Sequence, residues 1–119
     1  MKIAFCSPMH VERDGIGAYS RELFHHLSQR CALEPFFLDR EHHPSSHFSR
    51  MAEEVNRCDL LHVEHNYCYF NEFSPFRETF RDFLRRVRIP RIVTYHELVE
   101  RYAYVPRRSA VEGDSGRWV

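Results

Sequence analysis

Three short stretches hold most of the side chains able to do chemistry. Gly15-Ile16-Gly17 is a Gly-x-Gly turn that opens a helical pattern. His62-Val63-Glu64-His65 sets two imidazoles around a carboxylate and runs into an aromatic segment that begins with Tyr67. Tyr95-His96-Glu97 closes an apolar, β-branched run, and His10 sits in the polar loop ahead of the glycine turn. A glycine turn at a helix N-terminus brings free N–H groups and the positive end of the helix dipole close to an anion. It also serves where a loop merely needs positive φ. A histidine directly after a strand is able to hydrogen-bond a sugar hydroxyl or charge developing on a transferring group. It is equally able to rest on a neighbouring backbone carbonyl. His62 and His65 lie an odd number of residues apart, so on a strand they face opposite sides and do not share a metal. A set of His65, His96 and Glu97 is the remaining metal arrangement, and no bound metal is expected.

The elements that must position these groups follow from the apolar pattern. Ile3 to Cys6 is a continuous apolar run, as in a parallel strand covered on both faces. A first helix is expected from Gly15–Gly17 to Arg30, with Ile16, Tyr19, Leu23, Phe24 and Leu27 on one stripe. Ala32-Leu33-Glu34 reads as a turn into a short second strand, Pro35 to Leu38, whose proline suits an edge. The polar run 39–47 precedes a short helix over Phe48 to Asn56. A third strand spans Asp59 to Glu64. Ser74 and Pro75 form the start signal of a third helix, and Arg91 to Tyr95 is a fourth strand. A further helix is expected from Leu98 to Val105, with residues 106–119 as a disordered tail after a domain spanning 1–105. Strands alternating with helices at crossover spacing imply an α/β fold, a Rossmann-like parallel sheet with helices on both faces. In such a sheet ligands bind beyond the carboxyl ends of the strands. That rule gathers His10, Gly15–Gly17, Glu64, His65, Tyr67, His96 and Glu97 on one rim.

Composition narrows the function classes. The 119 residues carry 17 basic and 17 acidic side chains. This balance argues against a nucleic-acid partner. The length suits one modest domain. Cys6, Cys31, Cys58 and Cys68 form no C-x-x-C pair and read as reduced thiols of a cytoplasmic protein. Met1-Lys2 leads directly into a strand, and no apolar run reaches the ~20 residues of a membrane span. Arg77, Arg81, Arg85 and Arg88 line one helix face. They are read either as a weak peripheral contact with the inner membrane surface or as a solvated face paired with Glu78 and Asp82. The chain lacks a nucleophile elbow, a Ser–His–Asp order and a G-x-x-x-x-G-K phosphate loop.

Taken together, Lys2 to Pro8 with Asp14-Gly15-Ile16-Gly17-Ala18-Tyr19, Asp59 to His65, and Ile89 to Leu98 resemble the N-terminal domain of the large retaining glycosyltransferase family of the GT-B fold, the glycogen-synthase and mannosyltransferase-like group. The three motifs occur in the family's order and spacing from Met1 to about Val99. The resemblance implies the acceptor-side half of an enzyme that moves a sugar from a nucleotide-sugar to an acceptor hydroxyl with retention. It implies that the Gly15-Ile16-Gly17 turn approaches the donor diphosphate and that His96 lies near the transferred sugar. The acceptor-side candidates are then His10, Glu64, His65, Tyr67 and Glu97, and the acceptor is a sugar or a lipid. It implies no cofactor beyond the nucleotide-sugar substrate. The donor-binding domain is expected to come from a separate domain or chain, and these residues alone are expected to be a truncated, inactive portion. Asp14 departs from the family pattern, which often has glycine there, and its charge is expected to oppose a diphosphate. The alternative from another class is a free-standing flavodoxin-like module that binds a phosphorylated small molecule.

Overall fold

The computed structural model describes residues 1–72 and 78–96. Four parallel strands form one sheet: β1 (Lys2–Ser7), β2 (Ala32–Phe37), β3 (Leu60–His65) and β4 (Arg91–Tyr95), in the order β2-β1-β3-β4. Three α-helices join them: α1 (Gly15–Leu27), α2 (Ser45–Val55) and α3 (Thr79–Arg86). A 3-10 turn over Tyr67–Phe70 follows β3. This is a Rossmann-like α/β arrangement. The chain reverses its direction of travel across the sheet at β1, because β2 and β3 flank it on opposite sides. The crevice at the carboxyl ends of β1 and β3 is therefore the topological switch point.

Strand alternation divides the side chains between two faces. Ala4, Cys6, Phe36, Leu61 and Val63 point toward α2 and α3. There they pack with Phe48, Met51, Ala52, Val55, Phe70, Phe80 and Phe83 in one buried cluster. Each large side chain fully removed from water here contributes about 1.5–3 kcal/mol, so this face carries most of the fold's stability. Asn56 joins its two helices at their ends, donating from Nδ2 to the Arg86 carbonyl and accepting from the Arg88 N–H. Among the described residues, the opposite face is covered by α1. Phe24 meets Phe5 edge-on at 5.5 Å, while Ile92 on β4 remains 49% exposed.

Four sequence expectations change. Ala32 to Glu34 are strand rather than turn, paired with Lys2, Ile3 and Ala4 of β1. Pro35 is tolerated mid-strand because β2 is an edge. The second helix starts at Ser45, ahead of Phe48, since residues 45–47 are free to join the helix once Pro44 takes the N-cap position. The third helix starts at Thr79 after Glu78, later than Ser74 and Pro75 imply, and those two residues lie outside the described ones. Tyr19, placed on the inward stripe of α1 by its spacing, is 48% exposed, while Gly17 and Ser20 are buried. The helix lies close enough that its small residues, rather than its large ones, meet the β1 loop. The expected helix over Leu98 to Val105 and the tail over 106–119 lie outside the described residues.

Candidate functional site

The turn from β1 into α1 is built around Asp14. Its carboxylate Oδ1 accepts the N–H groups of Ile16 at 2.8 Å and Gly17 at 3.0 Å, the pattern of an N-cap. Oδ2 accepts the Tyr69 hydroxyl at 2.6 Å and faces the Arg40 guanidinium at 3.4 Å. Burial opposes the charge on Asp14. The bonds from Tyr69, Gly17 and Ile16, with the Arg40 charge, outweigh that cost and hold its pKa below the usual carboxylate value. Tyr69 moves the other way, because burial and the adjacent carboxylate both resist loss of its proton. Asp14 is thus a structural cap, tying the start of α1 to the segment after β3. It also consumes two of the helix N–H groups that a phosphate would have used.

The two glycines have different reasons. A Cβ on Gly17 would lie 2.7 Å from the Val11 carbonyl oxygen and 2.8 Å from that of Pro8, so the helix approaches its own loop too closely for any side chain. A Cβ on Gly15 would meet nothing within 4 Å. Neither glycine has positive φ; Arg13, at φ 60°, takes the left-handed position instead. Arg21 clasps the loop by donating to the carbonyls of Met9 and Val11.

Beyond the carboxyl ends of β1, β3 and β4 lies an open groove of about 730 Å³. Gly15, Ile16, Tyr19, Asn66, Thr94 and His96 line it. It sits at the switch point, and among the described residues no Lys or Arg lines it. His96 is held there by three contacts. Its backbone N–H donates to the His65 carbonyl at 3.2 Å. Its Nε2 bonds Glu64 Oε1 at 2.5 Å, and the ring of Tyr19 stands edge-on to it at 5.3 Å. Glu64 is fully buried beneath the groove. Its second oxygen, Oε2, bonds His62 Nε2 at 2.5 Å, and His62 in turn stacks on Phe5. Burial disfavours the Glu64 charge, but the bonds from His62 and His96 prevail and lower its pKa.

The remaining candidates go elsewhere. His65 points to the other face and is buried among Tyr67, Phe70, Phe80 and Tyr95, with Glu72 at 3.7 Å. It therefore does not join His96 around a metal. Tyr67 packs edge-on against His65. His10 is exposed beside Phe37, toward the β2 edge. Glu97 and Arg77 lie outside the described residues. Arg81 pairs with Glu78 at 2.8 Å and Arg85 with Asp82 at 3.7 Å, so acidic neighbours offset part of the arginine stripe. Among the described residues, no helix is long and apolar enough to cross a membrane. Cys6, Cys31 and Cys58 are free thiols, and burial pushes that of Cys6 up. Near β2, Asp39, Glu41 and His43 bring ligand atoms within 4.8 Å of one another, but His43 Nε2 is already bonded to Asp39.

Tyr19, Asn66 and Thr94 are groove residues that motif reading passes over. Thr94 shares a face with His96 by the two-residue period, and Tyr19 lies one turn beyond Gly15 on α1. Both relations are readable once the rim is known. No family model, curated protein or solved structure matches this chain.

Proposed function

We propose that this chain is the acceptor-side domain of a retaining glycosyltransferase of the GT-B type, with the donor nucleotide-sugar held by a separate domain or chain. The observation that carries this reading is the groove at the switch point. It brings the glycine turn after β1 and His96 after β4 to one place from opposite ends of the described chain. The lining suits a hydroxylated, uncharged ligand. Asn66, Thr94 and His96 offer hydrogen-bonding groups, and the half-exposed Tyr19 offers an aromatic surface. His96 serves the reacting sugar, and because Asp14 has taken the Ile16 and Gly17 amides, the donor diphosphate is held by the separate donor-binding domain rather than by this turn.

A module that binds a phosphorylated small molecule is less favoured. The Asp14 carboxylate already occupies the Ile16 and Gly17 amides and places a negative charge where the phosphate would sit. The arginine stripe on α3 adds little to a lipid acceptor, because Glu78 and Asp82 take two of its guanidinium groups.

The test is a pair of measurements on the purified chain. Methyl α-glucoside and related glycosides are titrated while groove amides are followed by NMR. Radiolabel transfer is then assayed with a panel of sugar nucleotides. Glycoside binding in the groove without turnover is the expected result. Turnover by the chain alone would contradict the split of roles, and no glycoside binding would remove the acceptor role.

A further inference from the structure

Glu64 has no contact with the groove, yet it determines what the groove presents. It is fully buried on β3, on the face that α1 covers, with Thr94 as its register partner on β4. Both of its oxygens are engaged, Oε2 by His62 Nε2 and Oε1 by His96 Nε2. An ionised carboxylate only accepts hydrogen bonds. Each imidazole must therefore carry its proton on Nε2, and in a neutral ring the other nitrogen is then a lone pair. Turning either ring over would carry its Nε2 away from Glu64, so the carboxylate holds both rings in one orientation. Nδ1 of His96 has no partner among the described residues, and His96 lines the groove.

We infer that Glu64 is the positioning residue of this groove: by holding His62 and His96 through Nε2–H, it fixes His96 so that Nδ1 accepts a hydrogen bond from a ligand hydroxyl. The role of that hydroxyl as part of a sugar rests on the function proposed above; the fixing of the ring does not. The inference reverses the simplest reading of a histidine in this place, as a donor. Neutral His96 receives, and it donates at Nδ1 only when protonated. His62 belongs to the same device, since it occupies the oxygen that would otherwise let the carboxylate rotate away from His96.

Long-range ¹H–¹⁵N NMR of the histidine rings, in the whole chain at alkaline pH, tests this without any ligand. Wild type is expected to show the Nε2–H tautomer for both His62 and His96. Glu64→Gln keeps the size of the side chain but converts one of its two acceptors into a donor. It is expected to leave one ring as Nε2–H and to switch the other to Nδ1–H, a change that a merely space-filling role would not produce. An Nδ1–H tautomer for His96 in wild type, or two unchanged rings in Glu64→Gln, would overturn the inference. Should the variant fail to fold, the wild-type tautomers still decide. Methyl α-glucoside is then added to wild type. Shifts at His96 support the hydroxyl contact. Their absence, with both tautomers as stated, removes the sugar reading and leaves Glu64 as the residue that orients His96.

Discussion

Replacing Asp14 with alanine should be among the most damaging single changes outside the apolar core. Three losses contribute. Removing an N-cap that serves the Ile16 and Gly17 amides costs about 0.5–2 kcal/mol. The Tyr69 hydroxyl, on a side chain only 1% exposed, loses its acceptor, and an orphaned buried donor costs about 1–3 kcal/mol. The Arg40 pair adds little, because the guanidinium is 65% exposed and 3.4 Å away. The sum is about 1.5–5 kcal/mol, which at about 1–3 kcal/mol per molar of urea lowers the unfolding midpoint by roughly 0.5–5 M. Urea titration followed by circular dichroism measures it. Tyr69→Phe completes a double-mutant cycle. Because the phenylalanine removes the orphan together with the bond, the double variant should be more stable than the sum of single losses predicts, by about 1–2 kcal/mol. Asp14→Ser should fall between wild type and alanine, keeping a capping oxygen without reaching Tyr69. A loss under about 0.5 kcal/mol for Asp14→Ala, or additivity within about 0.5 kcal/mol, would refute the account of this cap.

Further outcomes follow from the same geometry. Gly17→Ala should destabilise by about 1–3 kcal/mol through its clash with the Val11 and Pro8 carbonyls, whereas Gly15→Ala should be neutral or stabilising by up to about 1 kcal/mol; thermal melts of the pair separate the two roles. Asp14 and Glu64 both have folded-state pKa values below their unfolded ones, so their contribution is complete above about pH 4–5 and is lost as pH falls through the lowered values. Stability measured against pH should therefore fall on the acid side, and Glu64→Gln should flatten part of that slope. Tyr19→Ala should alter stability by no more than about 0.5 kcal/mol, as a half-exposed residue does, while weakening glycoside binding in the groove by NMR titration.

Much of the architecture was legible because parallel strands announce themselves as apolar runs. The runs Ile3–Cys6 and Asp59–Glu64 lie within one residue of β1 and β3 at each end, and Arg91–Tyr95 coincides with β4. The second strand was misplaced at its start because Ala32-Leu33-Glu34 has no strand pattern of its own; pairing with β1 extends it. Tyr19 was misread because spacing alone does not reveal that α1 closes on its loop through Gly17. The site was half legible. Connectivity to the switch point selected Gly15, Ile16 and His96, and the two-residue period put His62 and Glu64 on one face. The bond between Glu64 and His96 depends on the register of β3 against β4, which no local pattern encodes. Asp14 looked like an electrostatic intruder because its partners, Tyr69 and Arg40, come from distant segments.

The central claim is that the switch-point groove receives a sugar hydroxyl at His96. Titrating the ¹⁵N-labelled chain with methyl α-glucoside tests it most directly, comparing wild type with His96→Ala. The account predicts saturable shifts at Gly15, Ile16, Tyr19, Asn66, Thr94 and His96 in wild type, and their loss in the variant. Shifts confined to the hollow between α2 and α3, lined by Ser45, Phe48, Asp82 and Arg86, or identical binding in His96→Ala, would contradict it.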